Sequence, residues 1–289
     1  MPVSPAAVGA RPQPRHVDLT ARDLLSFAAG IDAPWPAALD DARPEGLTGF
    51  PTYCASLEFN AFQGGYEGGG HPTGADAAER RRGVHAGQDS LFQAPLRPGD
   101  RLATTGTIVS VRAVRAGALV MLKAETTNRD TGAPVVTSWV SQILRGVALS
   151  GPPAEIEAPP AQPDPPRTRV ARRTEVRVTQ AMPHVYAECA DIWNPIHSER
   201  SVALAAGLPD IILQGTATWS FAARELVDVV CGGDWNRLAR LGCRFASMAL
   251  PGDTLVIEVF EPADGAAAFG VSRADGAAIL RGGFAELRR

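Results

Sequence analysis

The amino-acid sequence predicts an α+β fold built from two similar halves, each a helix followed by antiparallel strands. Residues 151–166 contain seven prolines in sixteen positions, which excludes a helix or a central strand there and separates the halves. Both halves pass from a helical pattern to alternating, β-branched segments. Both also place Pro-Gly-Asp between strands, at 98–100 and 251–253. The shared order and the shared turn indicate an internal duplication.

The N-terminal half begins with two predicted helices, over 19–31 and 50–62, in which apolar residues predominate. Segments 101–114, 117–128 and 133–146 alternate β-branched and polar residues between turn signals, which predicts three strands of a meander. One sheet wrapped around one apolar helix is the architecture that this order favours.

A glycine-rich stretch at 63–76 separates the second helix from these strands, and we expect it to be a mobile loop. Three arginines follow it, Arg80, Arg81 and Arg82. They could meet a phosphate group of a ligand, or they could belong to a solvated surface loop, which is the commoner role of such a charge run.

The proline-rich segment 151–166 is expected to run as an extended linker. At about 3.1 Å per residue it reaches roughly 50 Å, enough to cross a small domain. We therefore expect an N-terminal domain at 1–150, the linker at 151–166 and a C-terminal domain at 167–289.

The C-terminal half repeats the plan of the first. A strand is predicted at 173–180, and a long and mostly apolar helix at 211–230. The remaining predicted strands are 238–250, 254–262, 267–274 and 277–287. Because the helix is apolar on nearly all sides, we expect it to be enclosed by the sheet.

Composition excludes several classes of protein. The 289 residues carry a net charge of −3, so there is no basic excess to bind a nucleic acid. The four cysteines form no C-x-x-C pair, which argues against a disulfide framework and a structural zinc site. The first residues lack the apolar core of a signal peptide, and no apolar run reaches about 18 residues. We expect a cytoplasmic protein that does not bind membranes.

The segment 185–216 carries the most specific pattern in the chain. It contains an aromatic residue, a turn, Asn-Pro-aliphatic-His and a later alanine; these are Tyr186, Asn194, Pro195, Ile196, His197 and Ala203. Downstream lie Ala206-Gly207, Ile212-Leu213-Gln214-Gly215, Arg244-Phe245 and Pro251-Gly252-Asp253. This succession resembles the MaoC-like family of (R)-specific enoyl-CoA hydratases, also called hydratase 2.

The N-terminal half resembles the non-catalytic partner domain of the same family. The likeness rests on Phe50-Pro51-Thr52, on His85-Ala86-Gly87-Gln88 and on 95–100. Together the two likenesses imply a double hotdog, in which one continuous antiparallel sheet wraps two helices. They also imply that the N-terminal domain shapes the acyl pocket without carrying out chemistry.

What the resemblance implies for the site is reversible addition of water to a trans-2-enoyl thioester. His197 would act as the base, together with an aspartate and Asn194, which could also cap a short helix. The backbone N–H of Gly215, at the start of the long helix, would stabilise the thioester oxygen. Gln214 and Tyr186 would lie at the substrate.

The chain departs from the family pattern at two positions. The catalytic aspartate of the family lies five residues before the histidine, where this chain has Ile192. Asp191 stands where the family has glycine. Either one residue is inserted and Asp191 takes the catalytic role, or the acid is absent. The second departure is Gln214, where the family usually has histidine.

Three functions follow in order of preference. The first is a hydratase or dehydratase that needs no metal and no cofactor, because coenzyme A or phosphopantetheine is part of its substrate. The second is a degenerate hotdog that binds acyl thioesters without chemistry. The third is a thioesterase, which would need a carboxylate on the long helix aimed at the thioester. Glu225 is the only acid in 211–227, and it lies nearly three turns from Gly215, too far to serve. The resemblance also implies a homodimer.

Overall fold

The computed structural model of the chain describes residues 2–62, 65–66, 70–80 and 82–288. Within them the helices are α1 Ala21–Gly30, α2 Pro36–Leu39, α3 Cys54–Phe62, α4 Ala77–Arg80, α5 Met182–Cys189, α6 Arg200–Ala205 and α7 Gly215–Cys231. The strands are β1 Arg15–Asp18, β2 Gly83–Phe92, β3 Arg101–Val114, β4 Gly117–Asn128, β5 Pro134–Arg145, β6 Ala154–Glu155, β7 Val170–Arg177, β8 Leu238–Phe245, β9 Thr254–Phe260, β10 Ala266–Arg273 and β11 Ala278–Leu287.

One sheet contains all of these strands. Its order is β1-β3-β4-β5-β2-β8-β11-β10-β9-β7, with β6 paired to β3 outside this path. The first five strands of the order come from the N-terminal half and the last five from the C-terminal half, joined by the antiparallel pair β2 and β8. The main core cluster spans both halves, from α1 and α3 to α7. The predicted α+β fold, two helices enclosed by one antiparallel sheet, is confirmed.

Local sequence signals explain where the helices begin and end. Thr20 and Asp23 form a capping box at the start of α1, in which each side chain bonds the backbone N–H of the other. Gly232 ends α7 in the left-handed region at φ 64°, which glycine adopts without steric cost.

The two halves repeat each other at the turns that the sequence singled out. Leu19 N donates to Asp100 O at 2.8 Å, and Val178 N donates to Asp253 O at 2.9 Å. Each Pro-Gly-Asp turn is closed by its own aspartate, whose carboxylate accepts from the backbone N–H three residues earlier, Arg97 or Leu250. The same sequence therefore forms the same turn in the two halves.

A buried ion pair joins the halves at the β2–β8 junction. The Arg240 guanidinium binds both carboxylate oxygens of Asp89, at 2.7 and 2.8 Å, with both side chains at most 5% exposed. Arg240 also donates to the backbone oxygens of Pro160 and Ala161 in the linker. The linker is therefore fixed against the junction by the same guanidinium.

Several predicted bounds differ from those in the structure. The helix predicted over 50–62 begins with a 3₁₀ turn at Pro51–Tyr53, and the helix predicted over 211–230 begins only at Gly215. The strand predicted over 238–250 ends at Phe245. Strand β2, at the centre of the sheet, was not predicted.

The glycine-rich stretch and the arginines after it are only partly described. Arg81 and residues 63–64 and 67–69 lie outside the described residues, so the mobile loop and its phosphate site stay predictions. Arg80 donates to Ala75 O at 2.9 Å. Among the helices that the structure describes, none is long and apolar enough to cross a bilayer.

Candidate active site

His197 ends a 3₁₀ turn that Pro195 begins. Its Nδ1 lies 2.8 Å from the carbonyl oxygen of Ile212. A carbonyl oxygen can only accept, so Nδ1 carries the hydrogen and Nε2 keeps its lone pair. Burial lowers the pKa of His197 to about 4, since a charged ring loses hydration there. The ring is therefore neutral near pH 7 and is oriented as a base.

Helix α7 begins at Gly215, two residues after Leu213, and the backbone N–H of Leu213 donates to Ala249 O. The first N–H groups of a helix have no acceptor within the helix, and the Gln214 side chain does not cap them. Gly215 is partly exposed between buried Gln214 and buried Thr216. Its N–H is thus offered at an accessible point of an otherwise buried helix start, where the helix dipole favours negative charge.

Phe245 packs directly over Gly215. A Cβ atom on Gly215 would lie 2.9 Å from a Phe245 ring carbon, so only glycine fits without a shift of the ring. Phe245 also contacts the His85 ring, with ring centroids 4.3 Å apart. His85 comes from β2 of the N-terminal half, to which sequence reasoning assigned no catalytic role. The likeness at His85-Ala86-Gly87-Gln88 was the signal that could have found it.

Asp191 and Ile192 take opposite orientations. Asp191 is exposed and has φ 49°, in the left-handed region that glycine adopts most readily. Its carboxylate accepts from Asn60 Nδ2 at 3.1 Å. Ile192 is 4% exposed and packs in the main core cluster. Among the described residues no hydrogen bond joins Asp191 to His197.

The other residues named from the sequence have structural contacts. Asn194 caps the 3₁₀ turn, because its side chain accepts from Ile196 N at 3.3 Å. Tyr186 is fully buried, and burial raises the pKa of its phenol. Gln214 Nε2 donates to Pro183 O at 2.9 Å. Whether these three contact a substrate stays a prediction.

Glu225, the acid considered for a thioesterase, is occupied by other partners. It accepts from Thr174 Oγ1 at 2.7 Å and pairs with Arg224 at 3.0 Å. Both contacts hold it at the side of α7, away from the start of that helix. Nor does any group of three or more His, Cys, Asp or Glu in the described part of the chain gather to hold a metal ion.

Comparison with known proteins agrees with this geometry. Residues 161–266 match the family described as MaoC like domain, and residues 6–138 match the FAS1-like, dehydratase domain region. The 3-hydroxyacyl-thioester dehydratase Y of Mycobacterium tuberculosis is 29% identical over 96% of this chain and 94% of its own length. An enoyl-CoA hydratase of the same organism is 28% identical over 88% of each chain.

Solved structures give the same fold. The crystal structure of a MaoC-like dehydratase from Phytophthora capsici superposes with a TM-score of 0.83, at 21% identity and with 98% of each chain covered. The family match in the C-terminal half includes His197 and Gly215, and the neighbouring structures share the double hotdog. The C-terminal half of the chain therefore resembles the MaoC like domain, and the whole chain has the fold of the MaoC-like double hotdogs.

Proposed function

We propose that the chain catalyses reversible addition of water to a trans-2-enoyl thioester, giving a (3R)-3-hydroxyacyl thioester. The observation that carries the proposal is the His197 ring. The ring is neutral, and its Nδ1 is fixed by the carbonyl oxygen of Ile212, three residues before the helix start at Gly215. Relatives named 3-hydroxyacyl-thioester dehydratase and enoyl-CoA hydratase support the same reaction class.

His197 handles the proton. In the hydration direction Nε2 takes a proton from water, and the oxygen of that water forms a bond to C3 of the enoyl group. The electron pair of the C2–C3 double bond moves toward the thioester, giving an enolate. Return of a proton to C2 restores the thioester and the neutral imidazole, so that the atoms of one water are added in all.

Gly215 handles the developing charge. The thioester oxygen becomes negative in the enolate-like transition state, and a preorganised N–H at a helix start stabilises it. Removing one such donor typically costs about 10²–10³ in kcat. Because Gly215 has no Cβ, the Phe245 ring can pack directly against it and close the site on that side.

The chain departs from the family pattern at the position of the catalytic aspartate, and this difference affects the reaction rate. Asp191 has the positive φ expected of the family's glycine, and Ile192 is buried at the family's acid position. This geometry supports the register without an inserted residue. We propose that His197 then carries the proton alone and that the rate is lower than with an aspartate at 192.

The test is crotonyl-CoA hydration, followed by loss of enoyl absorbance, in matched variants. His197→Ala should abolish the reaction, and Asp191→Asn should leave it nearly unchanged. Asp191→Gly combined with Ile192→Asp should raise it, because that pair restores the family's pattern. If Asp191→Asn removes activity as completely as His197→Ala does, Asp191 is the acid and the inserted register holds.

A second candidate, a thioester-binding protein without hydratase chemistry, is favoured by one observation, the buried Ile192. The same assay separates the two. An inactive wild type that still binds crotonyl-CoA, and that gains hydration only with aspartate at 192, supports the binding protein. Measurable hydration by the wild type that depends on His197 supports the enzyme.

The proposal also covers the thioester carrier of the substrate, the need for a cofactor, the cellular location and the oligomeric state. Coenzyme A or phosphopantetheine enters as part of the substrate, so dialysis against a chelator should leave the rate unchanged. We propose a homodimer, because the family resemblance implies one, and a cytoplasmic location, as the sequence analysis expects. Light scattering should then give about twice the chain mass of 30.4 kDa, and a single-chain mass would exclude the dimer.

A further inference from the structure

The internal repeat gives the catalytic cleft a counterpart in the N-terminal half. Gly49 N donates to Leu96 O at 2.8 Å, as Leu213 N donates to Ala249 O at 2.9 Å. Two residues after each donor a helical segment begins, at Pro51 and at Gly215. The start of the N-terminal segment therefore stands where the oxyanion-binding helix start stands in the C-terminal half.

The counterpart has lost the groups that carry chemistry. Pro51 has no backbone N–H to offer an oxyanion. Asp32, at φ 52°, repeats the backbone of Asp191, and a short helix beginning at Pro36 repeats the turn at Pro195. Counting along that repeat, buried Ala38 stands in the place of His197.

A cavity of about 230 Å³ remains at this position. Its walls come from both halves and are mainly apolar, with Phe92, Leu96, Val136, Trp235 and Leu238 among the lining residues. The volume is a little below the roughly 300–1,000 Å³ of pockets for drug-sized ligands. An aliphatic chain of medium length is the class of ligand that fits such walls.

Arg288 supplies the charge at this cavity, and none of the acidic residues that the structure describes lines it. The guanidinium donates from Nε to Asn236 O at 2.8 Å and from Nη2 to Phe92 O. A guanidinium has five N–H groups, and no ion pair to Arg288 occurs among the described residues. Trp235, 4% exposed, lines the same cavity with an indole N–H that has no acceptor in the described part of the chain.

From these contacts we infer that the cavity at Pro51 binds a medium-chain aliphatic carboxylate. The chain lies against the apolar walls, and the carboxylate accepts from Arg288, as planar guanidinium and carboxylate groups pair. This site is separate from the cleft at His197 and Gly215, and binding there needs no reaction.

The test is titration of the full chain with decanoate and, separately, with decanol, by calorimetry and by the fluorescence of Trp235 and its neighbours. Decanoate should bind one site, and decanol should bind at least about 10-fold more weakly, since it lacks the charge. Arg288→Gln should weaken decanoate by about the same factor and leave decanol unchanged. Arg112→Gln, an exposed arginine on β3, is the matched control and should change neither.

Two further variants locate the site. Ala94→Phe, at a half-buried lining residue, should fill the cavity and remove binding of both probes while crotonyl-CoA hydration and thermal unfolding stay as in the wild type. His197→Ala should leave decanoate binding intact. Decanoate that competes with crotonyl-CoA, or that still binds Ala94→Phe with unchanged affinity, would overturn the inference. Those outcomes are read independently of whether the chain hydrates crotonyl-CoA.

Discussion

Glu58 gives the sharpest stability prediction, because this carboxyl group is 2% exposed on α3 inside the N-terminal half. Ser138 Oγ donates to one of its oxygens, and Gln88 Nε2 donates to the other at 2.8 Å. The remaining titratable group facing it is the buried thiol of Cys54. Loss of hydration outweighs these hydrogen bonds and raises the pKa of Glu58 from 4.5 to about 7.

The sign of the pH effect follows from that direction. A carboxyl whose pKa is raised by folding contributes stability that is full below about pH 4.5 and lost as the pH rises through about 7. At about 1.4 kcal/mol per pKa unit, the free energy of unfolding loses about 3 kcal/mol across this window. Glu58→Gln cannot ionise, so the variant avoids this loss.

The assay is urea unfolding of wild type and Glu58→Gln at pH 5 and pH 8. Relative to wild type, the variant should gain about 2–3 kcal/mol between the two pH values, whatever its offset at pH 5. An amide at 58 can pair with Gln88 after that side chain flips, because Gln88 Oε1 has no partner among the described residues. Glu155→Gln, at an exposed site, is the control. A difference in unfolding free energy between Glu58→Gln and wild type that does not change with pH would exclude a raised pKa of Glu58.

Four further predictions concern the junction and the candidate active site. Arg240→Met leaves Asp89 buried without its partner, so urea unfolding should show a loss of about 3–5 kcal/mol; a loss below 1 kcal/mol would contradict the role of the pair. His197→Ala should lower kcat by at least about 10²–10³ with an unchanged circular dichroism spectrum. Because burial lowers the pKa of His197 to about 4, the acid limb of the wild-type kcat/KM profile should lie near pH 4, and a limb near pH 6.5 would show a solvated ring. Gly215→Ala should displace the Phe245 ring and cost up to about 10²-fold in kcat, while wild-type kcat in this variant would show that the packing of Phe245 on Gly215 is not needed for the reaction.

The strands that could be predicted from the sequence are those with one apolar and one polar face. Strands β3 and β4 match the predicted ranges 101–114 and 117–128, because alternation and turn residues mark both ends. Strand β2 was not predicted, because it lacks the alternation of apolar and polar residues. Its central residues Gln88 and Asp89 are polar yet buried, since they pair with partners from distant parts of the chain. No periodicity reveals such a strand.

The residues of the candidate active site could be named from the sequence, but their geometry could not. His197 and Gly215 were named from a motif. The sequence permits two alignments of Asp191 and Ile192 with the family's glycine and aspartate. What separates them is one backbone angle, φ at Asp191, which the sequence does not give. His85 was missed as a neighbour of the site, since its contact with Phe245 joins residues 160 positions apart through the β2–β8 pair. The domain boundaries at 150 and 167 stay predictions.

Chiral analysis of the product formed from crotonyl-CoA and water shows whether the chain is an (R)-specific hydratase that depends on His197. We expect the wild type to form (3R)-3-hydroxybutyryl-CoA and, in the reverse reaction, to regenerate the trans enoyl thioester, and we expect His197→Ala to form neither. Formation of the 3S product, or equal product formation by wild type and His197→Ala, would contradict the placement of the reaction at His197 and Gly215.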